Sequence, residues 1–552
     1  PFEGPPFEGP FPPEGPPFSP IPGGAILISA LQDFVRITEA GPSGFSLLTS
    51  GGSPITVIHG GNGQVPFVVG NASVNGTAAG ITNGNTTIQP NRSFFNSEII
   101  GNIAILTASG ADEPQIERPD RRIPNRNNNG GGGGVIDIST WYEVEQEFTS
   151  EYTTYFGRSE VPPPDYEFIR GTLERLSLEL GVVPGVVYAR FVTPEGLGRV
   201  PGIAPGPDDV LELMLVTPAG NPMIFRPPGV TRAKILAMTQ QLQRELTDRT
   251  RRRQTTYLEL SQQLYGWLIA PMTDELEAQG IGHLSFVLPA GLRSLPLAVL
   301  HDGQQFVIER YTIGLMPSLS LTDILTVKNL STSPLLAMGA SEFSDQPNLP
   351  AVPLELELIL GDRDGESSLN EGFTPENLVR LRQSGGYALL HLATHGEFRS
   401  GGPNNSYIQF WDQRITLSEV RRLQLDTPPL ELLVMSACRT ALGDTSAELG
   451  FAGLAVQTGV RSALATLWQV SDLETAGLMT EFYTQLGTTA YKAKALQQAQ
   501  LAMLRGEVTI QNGQIIWTGG QQSLVSGLRQ SAVDDTTHPY YWASFTLVGS
   551  PW

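Results

Sequence analysis

Two apolar stretches decide the fold of this 552-residue chain, YALLHLATHGEF at residues 387–398 and ELLVMSACRTALGD at residues 431–444. Each contains an apolar run that is typical of a buried strand and ends in polar, turn-forming residues. The first run leads to His395 and Gly396, and the second leads to Cys438, the only cysteine of the chain. If both strands end at one sheet edge, a thiol and an imidazole meet there, as nucleophilic catalysis by cysteine requires.

A single cysteine restricts the chemistry that Cys438 can perform. It cannot form a disulfide within the chain, and one thiol supplies too few ligands for a metal site. The sequence therefore predicts a nucleophile, with no metal and no cofactor.

The charge of the chain excludes one large class of partner. The formal net charge is −20, and a surface of that sign does not bind phosphate backbones, so no nucleic acid partner is expected. A negative net charge is compatible with cationic peptide substrates.

No run of the sequence approaches the roughly 18 apolar residues of a membrane helix, so no membrane span is expected.

The N-terminal quarter of the chain divides by composition into three segments. Residues 1–23 repeat PFEGP-like units, whose prolines favour an extended conformation. One interpretation of this segment is a disordered stalk. The other, which uses its spaced phenylalanines, is a segment that docks on a neighbouring subunit. Residues 24–109 alternate short apolar runs with Gly, Asn, Ser and Thr, which predicts an all-β segment. Residues 110–134 are a flexible linker by composition.

The linker contains four arginines in a segment that a peptidase could reach. A plain spacer is one interpretation, and a cleavage site for an arginine-directed peptidase, including this chain itself, is the other. The residues are Arg118, Arg121, Arg122 and Arg126.

Residues 135–552 alternate predicted helices and strands, which indicates a mostly parallel sheet covered on both faces. Helices are expected at about 140–156 and 165–181, after Thr231 as a cap, and after Thr374 with Pro375 in the first position. The strands are expected at about 186–192, 209–217, 283–288, 306–314, 334–339, 386–394, 430–437 and 462–467.

Several long motifs, in this order, resemble the landmarks of a CHAT domain, a member of the caspase-like clan of cysteine peptidases that also contains separases. They are GHLSFVLPAGLRSLPLAVLHDG (282–303), LMPSLSLTD (315–323), LLHLATHGEF (389–398), ELLVMSACRTALGD (431–444), GFAGLAVQTGVRSALATLWQVSD (450–472) and HPYYWASFTLVGSPW (538–552). The resemblance implies a caspase-like α/β fold, with an N-terminal α/β part at 135–270 and a peptidase core at 271–552.

The β-rich segment is similar to the β-helix of filamentous-haemagglutinin-type proteins. Its combination with a CHAT domain resembles large cyanobacterial proteins. This likeness implies an extracellular or cell-surface location.

The same resemblance assigns roles to residues of the two central stretches. It implies that His395 is the general base and Cys438 the nucleophile, and that the amides of Gly396 and Cys438 hold the oxyanion. A glycine after the histidine would also let a substrate backbone approach closely. His391 is expected to be a packed residue rather than the base.

Substrate preference is open to competing interpretations. Related separase-like enzymes prefer a basic P1 residue, which suggests Asp472 and Glu474 as its ligands, with Asp444 and Glu448 as alternative acids. However, Ser471 and Glu474 also form a capping-box pattern for the following helix, where Asp472 would favour the helix dipole.

Two functions from different classes follow. The first is a cysteine endopeptidase that acts on protein or peptide substrates and processes itself in the linker. The alternative is an extracellular filament or sheath subunit that assembles into a homo-oligomer or homopolymer through the N-terminal Pro/Phe repeat, with the CHAT domain as a scaffold.

Overall fold

The computed structural model divides the chain into two compact units, residues 1–126 and 127–552, which separate within the linker segment. The structure describes residues 26–30, 36–37, 45–48, 55–59, 67–73, 75–82, 86–94, 98–100 and 103–107 of the first unit and residues 134–136, 138–194, 205–248, 250–440, 444–525, 527–528 and 535–552 of the second. The Pro/Phe repeat and residues 110–133 of the linker lie outside the described residues.

In its described residues, the first unit is all β. Its strands are β1 Ile26–Ala30, β2 Arg36–Ile37, β3 Phe45–Leu48, β4 Ile55–His59, β5 Phe67–Val69, β6 Gly76–Thr77, β7 Gly80–Thr82, β8 Thr87–Ile88, β9 Arg92–Phe94, β10 Glu98–Ile100 and β11 Ile103–Thr107.

The strands of the first unit form three small sheets, in the orders β1-β4-β11-β10, β2-β6-β5-β9 and β3-β7-β8. Strands from successive parts of the chain pair in parallel, as in β1–β4, β4–β11 and β3–β7, and antiparallel pairs end each sheet. Apolar side chains of all three sheets, including Val57, Phe67 and Ile81, share one core. The described strands of this unit are thus paired mainly in parallel between successive parts of the chain, and both the β-helix-like arrangement and the likeness to haemagglutinins stay predictions.

The second unit is a mixed α/β structure with one large sheet. Its strands are β12 Gly134–Val135, β13 Val183–Val192, β14 Val210–Val216, β15 Met223–Phe225, β16 Ile281–Val287, β17 Thr312–Leu315, β18 Leu335–Gly339, β19 Gly365–Leu369, β20 Leu389–Phe398, β21 Tyr407–Gln409, β22 Arg414–Thr416, β23 Leu432–Thr440, β24 Ser462–Thr466, β25 Thr509–Gln511, β26 Gln514–Trp517, β27 Gly520–Ser523 and β28 Phe545–Gly549.

Helices connect most of these strands. They are α1 Ile138–Tyr155, α2 Tyr166–Leu180, α3 Arg232–Thr247, α4 Tyr257–Leu268, α5 Thr273–Ala278, α6 Val307–Arg310, α7 Val352–Leu360, α8 Pro375–Gly385, α9 Thr445–Ala452, α10 Leu454–Thr458, α11 Asp472–Leu486, α12 Lys492–Leu504 and α13 Pro539–Trp542, with short 3₁₀ helices at Ala270–Met272, Leu297–Val299, Asn370–Gly372, Pro403–Asn405 and Val420–Leu423.

The large sheet has the strand order β12-β15-β14-β13-β16-β17-β28-β24-β23-β20-β18-β19, with β21 paired to β20 and β22 paired to β21. Parallel pairs form its middle, from β13 to β19, except that β28 runs antiparallel to β24. The strands from β12 to β13 pair antiparallel. The sheet is therefore parallel at its centre and mixed overall.

Helices cover both faces of the central strands. Every residue of β18 and β24 is buried, and because successive side chains of a strand point to opposite faces, neither face is open to solvent. Helix α7 lies against β18, β19 and β20, and α11 lies against α7, α12 and β23. The apolar runs of the sequence form the inner strands for this reason.

Two predicted helix starts are confirmed. The Thr231 hydroxyl accepts a hydrogen bond from the amide of Lys234 at the start of α3, and the Thr374 hydroxyl accepts one from Asn377 at the start of α8, where Pro375 is the first residue. These caps satisfy amides that have no partner within the helix. They were visible in the sequence because both partners lie within three residues.

The strand predicted at 306–314 is only half correct. Residues Val307–Arg310 form the short helix α6, and the strand β17 starts at Thr312. The Glu309 carboxylate accepts a hydrogen bond from the Phe306 amide at 2.7 Å, which closes a helical turn where the apolar pattern favours a strand. Local capping therefore outweighs β propensity here.

Among the described residues, the structure contains no helix that is long and apolar enough to cross a membrane.

A buried histidine lies at the centre of the sheet, and its burial predicts that the protein loses folding stability at acidic pH. His283 is fully buried in β16, its ring nitrogens lie 2.8 Å from the hydroxyls of Thr312 and Ser285, and burial lowers its pKa to about 3. The unfolded chain binds a proton near pH 6.5, whereas the folded chain does not. The stability that this neutral histidine contributes is therefore present above pH 6.5 and lost as the pH falls towards 3, by at most about 5 kcal/mol.

We expect the free energy of unfolding of the wild-type protein, measured with urea, to fall more steeply between pH 6.5 and 4.5 than that of His283→Gln. Glutamine keeps a donor and an acceptor for the two hydroxyls but has no proton to gain. Parallel pH curves for the two proteins would contradict this account of His283.

Candidate active site

The two stretches that carry His395 and Cys438 are neighbours in the sheet. Strand β20 pairs in parallel with β23, with His395 opposite Ala437 and Gly396 opposite Cys438. Neighbouring strands lie about 4.8 Å apart, so the backbone of Cys438 runs directly beside Gly396 and one residue from His395. The carboxyl ends of both strands thus meet at one sheet edge.

The register between these strands contains one irregularity. Between Leu392 and His395, β20 advances three residues while β23 advances two, from Met435 to Ala437. An extra residue of this kind bends a strand and changes the direction of the side chains that follow. It separates the surroundings of His391 from those of His395, although the two histidines are four residues apart.

The imidazole of His395 is held by a backbone carbonyl. It is 7% exposed, and its Nε2 atom lies 2.7 Å from the carbonyl oxygen of Pro347. Because a carbonyl can only accept, Nε2 carries the hydrogen and donates it. In the neutral ring the lone pair is then on Nδ1, which is the state that a general base needs.

The carbonyl belongs to the loop 341–351, which connects β18 to α7. The amide of Leu349 donates to the carbonyl of Ser341 at 2.9 Å, and the amide of Ser341 donates to the Asn370 side chain, also at 2.9 Å. The ring of Phe343 packs against the His395 ring, with centroids 4.6 Å apart. The loop therefore fixes both the position and the tautomer of the imidazole.

Sequence reasoning missed Phe343 and Pro347. Every residue has a carbonyl, so nothing in the sequence marks the one at Pro347 as the partner of His395. Pro347 lies 48 positions before His395, and the parallel order of β18 and β20 brings the two together.

His391 has a different environment. It is fully buried, with Nε2 at 3.1 Å from a Glu355 carboxylate oxygen and Nδ1 at 3.4 Å from the Tyr483 hydroxyl. Both ring nitrogens thus have partners on the helices α7 and α11. This is the packed histidine that the sequence predicts.

Asp444 caps the helix α9, which follows strand β23. One carboxylate oxygen accepts hydrogen bonds from the amides of Ser446 and Ala447 at the start of α9, and the other accepts from the Ser400 hydroxyl at 2.6 Å. Burial alone would raise the pKa of Asp444, but these hydrogen bonds hold it below its usual value. In the structure Asp444 has the contacts of an N-cap.

Glu448, the second acid after Cys438, anchors α9 to the loop that follows β16. It is fully buried and accepts hydrogen bonds from the Gly291 amide at 2.7 Å and the Ser294 hydroxyl at 2.5 Å, and burial raises its pKa. Arg293, between these two residues, is also buried; it donates to the Leu288 carbonyl. This network ties the loop after β16 to the helix that follows Cys438.

Asp472 and Glu474 lie at the start of α11, for which Ser471 is the N-cap residue. The Ser471 hydroxyl bonds the Glu474 carboxylate and does not accept a hydrogen bond from a backbone amide of the helix, so the serine half of the predicted capping box does not form. Glu474 is fully buried. Asp472 accepts a hydrogen bond from the amide of Ala351 at 2.5 Å, at the end of the loop 341–351.

A polar depression lies next to the end of β20. It is lined by Arg399, Ser400, Asn404, Asn405, Tyr407, Arg414 and Thr416. Arg399 and Arg414 flank the ring of Tyr407 and pair with Glu397 and Asp345, so their charges are balanced locally.

Within the described residues, no group of three or more His, Cys, Asp or Glu side chains has the arrangement of a metal site.

Partial similarity to solved structures was found. The Saccharomyces cerevisiae separase–securin complex matches at 12% identity with a TM-score of 0.40, covering 70% of this chain and 31% of that chain. The complex of Porphyromonas gingivalis RgpB pro- and mature domains matches at 13% identity with a TM-score of 0.32, covering 53% of this chain and 69% of that one. The Arg specific cysteine proteinase gingipain R matches at 12% identity with a TM-score of 0.31, covering 54% of this chain and 68% of that one.

This chain therefore spans about a third of the length of the separase chain that it matches. Among curated proteins, none matches the sequence.

A family comparison identifies the larger part of the second unit. The CHAT domain family matches residues 258–550, which is more than half of the chain. The matched range contains β16 to β28, the loop 341–351 and the strand ends at His395 and Cys438. The chain belongs to the CHAT domain family.

Proposed function

We propose that the protein is a caspase-like cysteine endopeptidase in which Cys438 is the nucleophile and His395 the general base. The observation that carries this proposal is the bond from His395 Nε2 to the Pro347 carbonyl, which leaves Nδ1 as the basic nitrogen. The parallel register of β20 and β23, with Gly396 opposite Cys438, supports the pairing of the two residues. Membership of the CHAT family supports the peptidase class.

In this mechanism His395 Nδ1 takes the proton of the Cys438 thiol, and the thiolate attacks the carbonyl carbon of a peptide bond. The C–S bond forms as the carbonyl becomes an oxyanion. When this intermediate collapses, the C–N bond breaks and His395 returns the proton to the leaving amine. Water then attacks the thioester, with His395 again as the base, and releases a carboxylic acid and the thiol.

The amides of Gly396 and Cys438 are the proposed donors to the oxyanion. They lie opposite each other at the ends of two adjacent strands, and amide donors fixed by a sheet need no rearrangement during the reaction. Gly396 has no side chain that would keep a substrate backbone away.

The substrates we propose are proteins or peptides that are cleaved after a basic residue, and the candidate P1 ligands are Asp472, Glu474 and Asp444. Each of these carboxylates already accepts a hydrogen bond within the protein. The donors are the Ala351 amide for Asp472, the Ser471 hydroxyl for Glu474 and the Ser400 hydroxyl for Asp444. A P1 arginine would therefore have to share or replace these contacts. The preference for a basic residue stays a prediction.

We expect an acyloxymethyl ketone probe with arginine at P1 to label the wild-type protein at one site per chain. Cys438→Ala should add no mass, because it lacks the nucleophile, and His395→Ala should react at least about a hundredfold more slowly, because it lacks the base. Intact-mass spectrometry of all three proteins under reducing conditions measures this.

A matched probe with glutamate at P1 tests the specificity separately. Equal labelling by both probes would contradict the basic preference but keep the dyad. Absence of labelling by either probe, in proteins with the same unfolding profile, would contradict the peptidase proposal.

Self-processing is expected in the linker, at Arg-X bonds between residues 118 and 126. The purified wild-type protein should be cut there, and Cys438→Ala should stay intact, since cleavage needs the thiolate. Mass spectrometry of the fragments identifies the bond. If wild type and Cys438→Ala remain equally intact, the linker is a spacer and not a substrate.

A structural subunit is the second candidate. It is favoured by the parallel stacking of strands in the first unit and by the Pro/Phe repeat of residues 1–23, and it would place the protein outside the cell or at its surface. Such a subunit could also be a peptidase that remains in the fibre after processing.

Assembly through the repeat predicts that deleting residues 1–22 reduces particle size in light scattering. The expected reason is the loss of phenylalanines that dock on a neighbouring subunit. Unchanged particle size at equal protein concentration would contradict docking by this segment.

A further inference from the structure

The loop 341–351 has a second anchor in addition to its contacts with β20. Its last residue, Ala351, is the N-cap residue of α7 and donates its amide hydrogen to the Asp472 carboxylate at 2.5 Å. Asp472 is the first residue of α11, which packs along α7. The amide that Asp472 holds is therefore only four residues from the carbonyl of Pro347, which holds His395.

We infer that Asp472 is a positioning residue that orients His395 through this loop, and not a ligand of the substrate. The inference rests on the proposed function, because it requires His395 to act as the base. It replaces the P1 role of Asp472 with a role in the alignment of the imidazole.

The geometry of the loop explains how a contact at Ala351 reaches Pro347. Leu349, which lies between them, is buried and donates its amide hydrogen to the Ser341 carbonyl, so the segment cannot bend freely there. If Ala351 moves, the carbonyl of Pro347 moves with it. Small displacements of a catalytic base reduce reaction rates strongly.

The anchor also depends on the charge of Asp472. Burial raises its pKa to about 7; the Ala351 amide opposes this shift, and the nearby carboxylates Glu355 and Glu474 add to it. Glu355 lies on α7 and also bonds His391, whose other nitrogen contacts the Tyr483 hydroxyl. Because the ionised carboxylate is the stronger acceptor, the anchor weakens as the pH falls below 7.

The raised pKa of Asp472 also predicts that its negative charge does not stabilise the fold. A carboxyl whose pKa is raised in the folded protein stabilises the fold at pH values below its ordinary pKa. This stability is lost as the pH rises through the raised pKa of the folded state. At pH 8 the ionised Asp472 therefore costs stability. Removing its charge should reduce the activity without destabilising the protein, which distinguishes positioning from a structural role.

The experiment uses iodoacetamide, which has no P1 side chain, and exploits the fact that the chain has a single cysteine. The alkylation rate of Cys438 is measured from pH 5.5 to 9 for wild type, Asp472→Asn, Asp472→Ala and His395→Ala. The control is Asp165→Asn, since the Asp165 carboxylate likewise bonds a backbone amide at a helix start, that of Phe168 in α2.

We expect Asp472→Ala to react about tenfold more slowly than wild type at pH 8, and Asp165→Asn to react like wild type. The ratio of the wild-type rate to the Asp472→Asn rate should rise as the pH increases through 7, since only the wild type gains a charge there. Urea unfolding at pH 8 should show Asp472→Asn to be at least as stable as wild type.

Equal alkylation rates for Asp472→Ala and wild type at every pH would overturn the inference while leaving the dyad in place. Equal rates for His395→Ala and wild type would overturn the dyad and the inference together. With peptide substrates, positioning predicts a lower kcat for any P1 residue, whereas an increase in KM confined to arginine substrates would overturn it and assign Asp472 to the P1 pocket.

Discussion

Parallel pairing of β20 with β23 is the constraint on which the rest of the site depends. Both strands lie inside a sheet that is covered on two faces, and a slip of one residue would exchange the side chains of those faces and take His391 away from Glu355 and Tyr483. The register is therefore fixed, and it puts Gly396 beside Cys438 at the sheet edge. The one irregularity lies just before His395, where a bend in β20 changes the surroundings of the second histidine without loss of the pairing.

Buried carboxyl groups hold the loops that follow β16 and β17. Glu145 of α1 accepts hydrogen bonds from the Tyr188 hydroxyl and from the amide and hydroxyl of Ser320, and Glu448 of α9 accepts from Gly291 and Ser294. A buried carboxylate is costly unless its oxygens are satisfied, so each of these groups specifies one arrangement of its loop. The CHAT motifs at 282–303 and 315–323 thus supply partners for these anchors.

Much of the second unit could be predicted because its signals are local. Apolar runs at 386–394, 430–437 and 462–467 became β20, β23 and β24, and both threonine caps formed. Strand β19 was missed, since Gly365–Leu369 is polar and partly exposed at the sheet edge and so has no apolar pattern. Strand β17 was misplaced because a capping bond at Glu309 formed a helical turn in an apolar run.

The sequence by itself determined which residues could react: one thiol at Cys438, and a histidine followed by glycine at the end of a neighbouring apolar run. It also determined where most strands and helices form, because hydrophobic periodicity and capping involve residues that are close along the chain. Only the tertiary structure decided that the Pro347 carbonyl sets the tautomer of His395 and that the Ala351 amide binds Asp472, 121 positions away. The physical reason is that backbone amides and carbonyls are alike in every residue, so only the order of strands in the sheet selects which of them meet.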